Sequence, residues 1–444
     1  MEARREGTTS VPGKHRRFAH SRSGGQNGAD ATLNPNLMRA IDFWVGIPLT
    51  FFLTVVYRIQ RLLGLAATPD GAPRNILFIQ LAEMGTMVVA YPSLSRAREL
   101  FPDATLHFLC FTEIRSSVEM LGIIAPENII TIDASSGSSL LRDTLLFPFR
   151  ARRRGFDTVI NMEAFVRYSS LLSYLSGAGR RVGFHRFNQE GLYTGHLLTH
   201  KVLYNSHIHA AHTFLDLVHA LESPPDQVPR VKRPWATDRL DVPKVVTDAN
   251  AAANIWQKLR AINPDIGPAR KLVVLNPNAS ARFPMRRAPL ESFTELARRL
   301  LEDPDVFILI VGVISERPDA QYICERLGSP RLLDLTGRTT LQELLHVFDL
   351  AHVLVTNDSG PAHFAALTRI HVVVFFGPEI PERYRPLATS SDVVHTGYSC
   401  SPCIGPHNQR LSPCNDNLCL KTIKIQEVAG LVRLRLEARA GATI

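Results

Sequence analysis

The stretch Val353-Leu-Val-Thr-Asn-Asp-Ser-Gly-Pro-Ala-His-Phe-Ala-Ala-Leu367 constrains this chain more than any other. An apolar run ends in Asn357-Asp358-Ser359-Gly360-Pro361, and a small-residue helix then starts, with His363 in its first turn. That pattern reads as a buried strand delivering a helix start to a cleft. The first amides of a helix have no partners within it and lie at the positive end of its dipole. A phosphate or diphosphate fits there. Ser359 and Gly360 let an anion approach the backbone, and Asp358 is placed to cap the helix or to orient His363. A well-capped strand–helix crossover without a ligand would show the same local pattern, so the motif alone does not separate the two.

The surrounding periodicity supplies the fold. In the first half, Asn75–Leu81, Ala104–Cys110, Ile129–Asp133 and Asp157–Asn161 read as strands, with a helical pattern over Met87–Leu100. In the second half, Lys271–Asn276, Val306–Val311, Leu332–Gly337, Val353–Thr356 and Val372–Phe376 alternate with helices over Leu290–Leu301 and Leu341–Leu350. Alternating strands and helices predict parallel sheets covered on both faces. The fold class is therefore α/β: two doubly wound, Rossmann-like domains facing a cleft, joined through the proline-rich stretch Pro224–Pro268. Ligands of such sheets bind at the C-terminal ends of the strands. Neither half has G-x-G-x-x-G after its first strand, and G-x-x-x-x-G-K-[ST] is absent, which removes dinucleotide dehydrogenases and P-loop ATPases.

The ends of the chain differ from this plan. Of 444 residues, the first 36 are rich in Gly, Ser, Arg and His and read as a disordered basic tail. The net charge of +9 suits an acidic partner. No helix-turn-helix, RNA-binding aromatic motif or paired Cys/His finger is present, so no nucleic-acid partner is expected. Phe43–Tyr57 carries no charge, with Arg39 before it and Arg58 and Arg61 after it. The run is short of the ~20 residues of a simple span. Pro48 should kink it, and Trp44 and Tyr57 are interface-type residues. We read 37–70 as a membrane-associated segment, peripheral or short-anchored, contacting an anionic leaflet; the alternative is a buried core helix. The expected domains are then 71–235 and 236–444.

Six cysteines are present. Four cluster as Cys400-x2-Cys403-x10-Cys414-x4-Cys419, a density compatible with a structural zinc site. The spacing is not that of a standard zinc ribbon, and disulfides or reduced thiols fit it as well.

Several motifs in order resemble glycosyltransferase family 9, the lipopolysaccharide heptosyltransferase-like enzymes of bacteria. Leu335-Thr-Gly-Arg-Thr-Thr-Leu341 looks like the family's Leu-Thr-Gly-Lys-Thr-Ser-Leu turn. Asp358-Ser359-Gly360-Pro361-Ala362-His363 looks like its Asp-[Ser/Thr]-Gly-x-x-His signature, and Phe376-Gly377-Pro378 matches the segment that follows. Arg286-Arg287-Ala288-Pro289 sits where the family often has Lys-Arg-Trp-Pro. The resemblance covers roughly Arg74 to Ile425. It implies the GT-B fold, with the acceptor on the first domain and the nucleotide-sugar on the second. It also implies inverting transfer of a heptose-like sugar, with no cofactor or metal for catalysis. The implied partners are an ADP-heptose-like donor and a glycolipid acceptor, at the cytoplasmic face of the inner membrane.

The residues suit that chemistry. A departing diphosphate needs amide or cationic stabilisation. The Ser359 and Gly360 amides can supply it together with Arg282, Arg286 and Arg287, Arg being suited to bidentate phosphate contact. Glu316 resembles a family acid that meets the ribose, and Thr336 and Gly337 can line the base pocket. The acceptor hydroxyl needs a base. Many family members have an Asp directly after the first-loop Gly; here Gly85 is followed by Thr86, which cannot serve. Glu83 is the only carboxylate in that loop and is the candidate catalytic residue. Asp303-Pro-Asp305 mimics a metal-binding Asp-x-Asp, but it lies at the wrong edge of the sheet. Two readings compete with transfer: a family member that binds nucleotide-sugar or glycolipid without turning it over, and a nucleotide-sugar epimerase of related fold.

Overall fold

The computed structural model describes residues 35–65, 69–187, 191–224, 226–280 and 283–440. Almost all of the expected basic tail, and Arg282, lie outside the described residues. Two helices come first, α1 (Pro35–Trp44) and α2 (Gly46–Leu62). The first domain runs β1 (Asn75–Ile79), α3 (Met84–Leu100), β2 (Thr105–Phe111), α4 (Arg115–Met120), β3 (Ile129–Ile132), α5 (Gly137–Arg154), β4 (Thr158–Asn161), α6 (Arg167–Leu175), β5 (Arg180–His185), β6 (His200–Leu203) and α7 (Ala210–His219). The second runs α8 (Ala249–Arg260), β7 (Lys271–Asn276), α9 (Leu290–Leu300), β8 (Val306–Ile310), α10 (Arg317–Leu327), β9 (Leu332–Asp334), α11 (Leu341–Leu350), β10 (Val353–Asn357), α12 (Gly360–Ala365), β11 (His371–Phe376), α13 (Pro381–Tyr384), β12 (Ser391–His395), α14 (Leu418–Lys421) and α15 (Ile425–Ala440).

Both sheets have six strands. Their orders are β3-β2-β1-β4-β5-β6 and β9-β8-β7-β10-β11-β12, so the second sheet repeats the topology of the first. Neighbouring strands are parallel, with Ile79 opposite Leu109 and Asn161, and Asn357 opposite Phe375. Strand order reverses between β1 and β4, and between β7 and β10. Ligand crevices of open α/β sheets open at such reversals, beyond the carboxyl ends of the strands. The loops after β1 and β10 are therefore the functional ends of the two domains.

Local sequence explains these elements. Val353–Asn357 and His371–Phe376 are buried throughout, as expected for parallel strands covered on both faces. In the first sheet, Ile76 and Phe78 pack towards α3 and α7, whereas Leu77 and Ile79 pack towards α5 and α6. The first of these cores continues into the second domain through Phe364 and Leu367, so the two domains share apolar packing. β5, β6 and β12 are additions to the sequence reading, which placed no strands there.

The expected kink in the N-terminal segment occurs as a break at Val45, between α1 and α2. Pro48 has no N–H to donate to the Trp44 carbonyl, so the hydrogen-bond ladder is interrupted there. The segment is neither a buried core helix nor a free one. Gly46, Thr50, Thr54 and Tyr57 form a buried stripe against the first domain. The Thr54 hydroxyl accepts from the His196 N–H at 2.9 Å, and the Arg181 guanidinium sits 4.7 Å from the Tyr57 ring. Asp42 holds the fully buried Arg167 side chain at 2.8 Å and accepts from the first amides of α6. The opposite face exposes Phe51, Phe52, Val55 and Ile59. Leu37–Leu62 is long and apolar enough to cross a membrane by length and composition, a larger extent than the uncharged run alone suggested.

Candidate active site

The site is built first by β10. Asn357, its last residue, donates from its side-chain amide to the Pro277 carbonyl at 2.8 Å and accepts the Ala288 N–H at 3.0 Å. These bonds strap the arginine-bearing loop to the strand end. Asp358 is buried and faces Arg286, with 3.4 Å between its Oδ2 and the guanidinium Nε. The same guanidinium donates to Glu379 Oε2 at 2.6 Å. The expected capping role of Asp358 is thus not what the structure shows. Ser359 is the N-cap residue of α12 and makes no side-chain cap bond. Asp358 is drawn instead to the stronger attraction of a buried guanidinium. Pro361 contributes no N–H and the Ala362 N–H is bonded to the Ser359 carbonyl, which leaves the Ser359 and Gly360 amides at the helix start.

Burial raises Asp358 above the usual carboxylate range, with Arg286 pulling the other way. Burial also pushes Glu379 up to about 7, against the same guanidinium. Burial penalises the charge on Arg286, yet Asp358 and Glu379 overcome this and hold it above its ordinary value. His363 is pushed down to about 3 by burial, then by His209 and Arg286, so it is neutral. Arg286 Nε, Asp358 Oδ2, His363 Nδ1 and Glu379 Oε1 are buried without hydrogen-bond partners. Gln80 Oε1 and Asn278 Oδ1 share that state beyond the ends of β1 and β7. Buried polar groups are ordinarily paired, and leaving one unpaired costs about 1–3 kcal/mol. Six such atoms thus gather near the two strand-order reversals, two of them, Arg286 Nε and Asp358 Oδ2, facing each other as an ion pair at 3.4 Å.

The first domain meets this cluster through the loop after β1. The Glu163 carboxylate accepts the Leu81 N–H at 2.7 Å and fixes the start of that loop. Glu83 precedes α3 with φ of 75°, a left-handed conformation that costs a non-glycine residue on the order of 1 kcal/mol or more. Its carboxylate accepts from the Thr86 hydroxyl at 3.1 Å and pairs with Arg410. Arg410 also lies 3.7 Å from Glu379 and stacks over Phe283. At Gly85 a Cβ would fall 2.7 Å from His363 Cδ2 and 3.2 Å from Gly360 Cα. The starts of α3 and α12 therefore abut, and only glycine fits between them.

The remaining expected residues are distributed around this junction. Glu316 folds back to accept the Val313 N–H at 3.0 Å, beside Gly312 and Thr336. Thr336 is buried and bonded to Asp334. Gly337 has φ of 69°, and a Cβ there would meet Ile314 at 2.8 Å. Arg287 is partly exposed and paired with Asp319 at 3.2 Å. Asp303 and Asp305 pair with Lys271 and Arg270 at the entry edge of the sheet, away from the site. The four-cysteine segment docks on the Pro378 carbonyl through the Cys403 and Ile404 amides, and the loop it carries delivers Arg410. All four thiols are free. Burial, then the other three thiols, raises Cys419. Among the described residues no group of three or more His, Cys, Asp or Glu side chains is arranged to hold a metal ion, so the zinc expectation gains no support from this arrangement.

Sequence reading missed Glu379, Arg410 and Glu163. Glu379 directly follows the Phe376-Gly377-Pro378 motif, and that adjacency was the available signal. Nothing local marks Arg410, which reaches the site across the domain boundary.

Histidine burial predicts a pH dependence of stability. Burial, as the leading cause, pushes His107, His185, His200 and His209 down to about 4, and His363 lower still. The unfolded chain takes up these protons near 6.5 and the folded chain does not, so stability is lost as pH falls through that window. Glu379, Asp358 and Asp216, all raised by burial, act in the opposite sense and lose stability as pH rises, but the lowered histidines outnumber them. The melting temperature should be lower near pH 5 than near pH 7.5; a higher value at the acid end would contradict neutral buried histidines.

Comparison with known proteins agrees with this geometry. Residues 149–411 match glycosyltransferase family 9 (heptosyltransferase). The lipooligosaccharide heptosyltransferase 2 of Campylobacter jejuni is 27% identical over 174 residues, covering 38% of this chain and 53% of that protein. The lipopolysaccharide heptosyltransferase 2 of Escherichia coli is 28% identical over 120 residues, covering 26% of this chain and 34% of its own length. These alignments span about half or less of the relatives. The solved structure of the E. coli ADP-heptose lipopolysaccharide heptosyltransferase II superposes with a TM-score of 0.63 at 16% identity, covering 82% of this chain and 99% of that one. A family 9 glycosyltransferase from Veillonella parvula gives 0.63 at 17% identity, covering 84% and 99%. These two likenesses show the GT-B fold. With more than half of its length matched, the chain belongs to glycosyltransferase family 9, the heptosyltransferase family.

Proposed function

We propose that this chain transfers a heptose-like sugar from a nucleoside-diphosphate donor to a glycolipid acceptor of lipopolysaccharide type, inverting the anomeric centre without a catalytic metal. It does so at the cytoplasmic face of the inner membrane. The observation that carries the reading is the buried polar cluster, with hydrogen-bonding capacity left over on His363 and Glu379, where the loops after β1 and β10 abut. The donor diphosphate lies against the Ser359 and Gly360 amides and Arg286, with Arg287 nearby and the sequence-expected Arg282 outside the described residues. Glu379, titrating near neutrality, can meet a phosphate oxygen as a neutral donor. Thr336, Gly337 and Glu316 border the nucleoside.

Glu83 takes the proton of the acceptor hydroxyl. That oxygen attacks the anomeric carbon from the face opposite the nucleotide, and the diphosphate leaves with the bonding electrons. Glu83 must first exchange its contact with Arg410 for the acceptor, which frees a guanidinium beside the departing phosphates. The α1–α2 face holds the acceptor domain at the bilayer surface.

Gly360→Val tests the donor site. A Cβ at Gly360 meets only Phe364 at 3.6 Å, an ordinary contact, so the variant should fold. It should bind donor at least tenfold more weakly, about 1.4 kcal/mol; unchanged affinity in the folded variant would refute the assignment. Transfer should also survive EDTA, and loss of activity that Mg²⁺ or Mn²⁺ restores would overturn the metal-free mechanism.

A second reading has its own support. Thr86 stands where many relatives carry the catalytic Asp, and Glu83 is engaged by Arg410. A protein that binds nucleotide-sugar without transfer would show both features. Such a protein would bind donor and yield no glycosylated product.

A further inference from the structure

Helix α5 presents an apolar face to solvent. Asp143, Phe147 and Ala151 recur every fourth residue and are buried against the first domain. With about 100° of rotation per residue, the side opposite them carries Leu141, Leu145 and Phe149. These are 60%, 62% and 62% exposed. A surface helix ordinarily places charge on its outward face. Here the charges flank the apolar ridge: Arg142, Arg152 and Arg153 are exposed beside it. The helix has a single acid, Asp143, and it is buried on the inner side. The outward surface is therefore apolar at its centre, cationic at its margins and free of its own carboxylates.

Its neighbourhood indicates the occupant. α5 and α2 both pack on α6. Met38 of α1 and Leu140 of α5 pack on the same apolar cluster, on one side of the first sheet. The exposed apolar ridge of α5 thus belongs to the same layer as the exposed face of α1 and α2. An apolar ridge rimmed by arginines is complementary to an anionic bilayer, whose headgroup phosphates meet the guanidinium groups while the ridge enters the acyl boundary.

We propose that α5 is a second membrane-docking surface, which seats Leu141, Leu145 and Phe149 in an anionic bilayer. The inference rests on the membrane-bound reading above but is independent of the transfer chemistry. One helical contact leaves the domain free to roll about that helix. Two contacts on one domain fix the rotation, and with it the direction in which the acceptor side opens.

The test is flotation of the full chain with phosphatidylcholine vesicles, with and without phosphatidylglycerol. Leu145→Asp/Phe149→Asp should weaken partition onto the anionic vesicles by about tenfold or more, with donor binding unchanged. Arg152→Ala/Arg153→Ala should weaken partition onto anionic vesicles only. Independently, a Leu145→Trp side chain should be quenched by brominated lipid. Normal partition of the double-Asp variant, or no added quenching of the Trp variant, would overturn the proposal. So would a chain that self-associates through this ridge, with the double-Asp variant monomeric and still fully vesicle-bound. Loss of donor binding or transfer in the Gly360 and Glu83 variants would bear on the transfer reading alone.

Discussion

Replacing Glu83 with Gln is expected to lower kcat by about 10²–10⁴-fold, the usual cost of losing a general base. Glu83 is the only carboxylate in the loop after β1, and the fold brings it to the second domain's cluster. It lies within the hydrogen-bonding network of Thr86 and pairs with Arg410, which also approaches Glu379. The backbone at Glu83 is left-handed, a conformation unfavourable for a side-chain-bearing residue and common where a site positions its groups. Gln keeps the size and can still accept from Thr86, so donor affinity should change little. Steady-state kinetics at saturating donor and acceptor, with donor affinity measured separately, check this. Near-normal turnover would exclude Glu83 as the base.

Arg286→Met is expected to destabilise the second domain by about 3–5 kcal/mol, because it leaves buried Asp358 without a cation and Glu379 with only the more distant Arg410. Asp358 and Glu379 both depend on this guanidinium, and Glu379 is fully buried. For a domain of this size the melting temperature should fall on the order of 10 °C. The sign of the pH effect is diagnostic. With the cation gone, the two acids must stay protonated in the folded state, so the loss relative to the unaltered chain is largest above about pH 7 and shrinks near pH 5.5. Scanning calorimetry at both pH values checks this. Equal losses at the two values would mean that the ionic cluster does not set the stability of the site. Donor affinity should fall as well, since the same side chain meets the diphosphate.

The two halves were legible because their cores are local signals. Leu272–Leu275, Val353–Val355 and Val372–Phe375 are continuous apolar runs that parallel sheets require, and Gly360 and Gly377 mark the loops that follow the last two. The strands that escaped notice are of another kind. Arg180–His185 carries two arginines, buried because their charges reach backbone carbonyls. Ser391–His395 lies at a sheet edge, half-exposed and mixed in polarity. The candidate site was legible as a list of residues but not as a set of partners. Asp358 was expected to serve its own helix, whereas its partner Arg286 is brought in by the Asn357 strap. The tight meeting of Gly85 with His363 joins the two domains and has no local signature.

The most direct measurement is product analysis after incubating the unaltered protein with ADP-heptose and a lipid-linked oligosaccharide acceptor in the presence of EDTA. The account predicts nucleotide release matched one for one by heptosylated acceptor, with the new linkage of opposite anomeric configuration to the donor. Donor bound without transfer, or product of retained configuration, would contradict it.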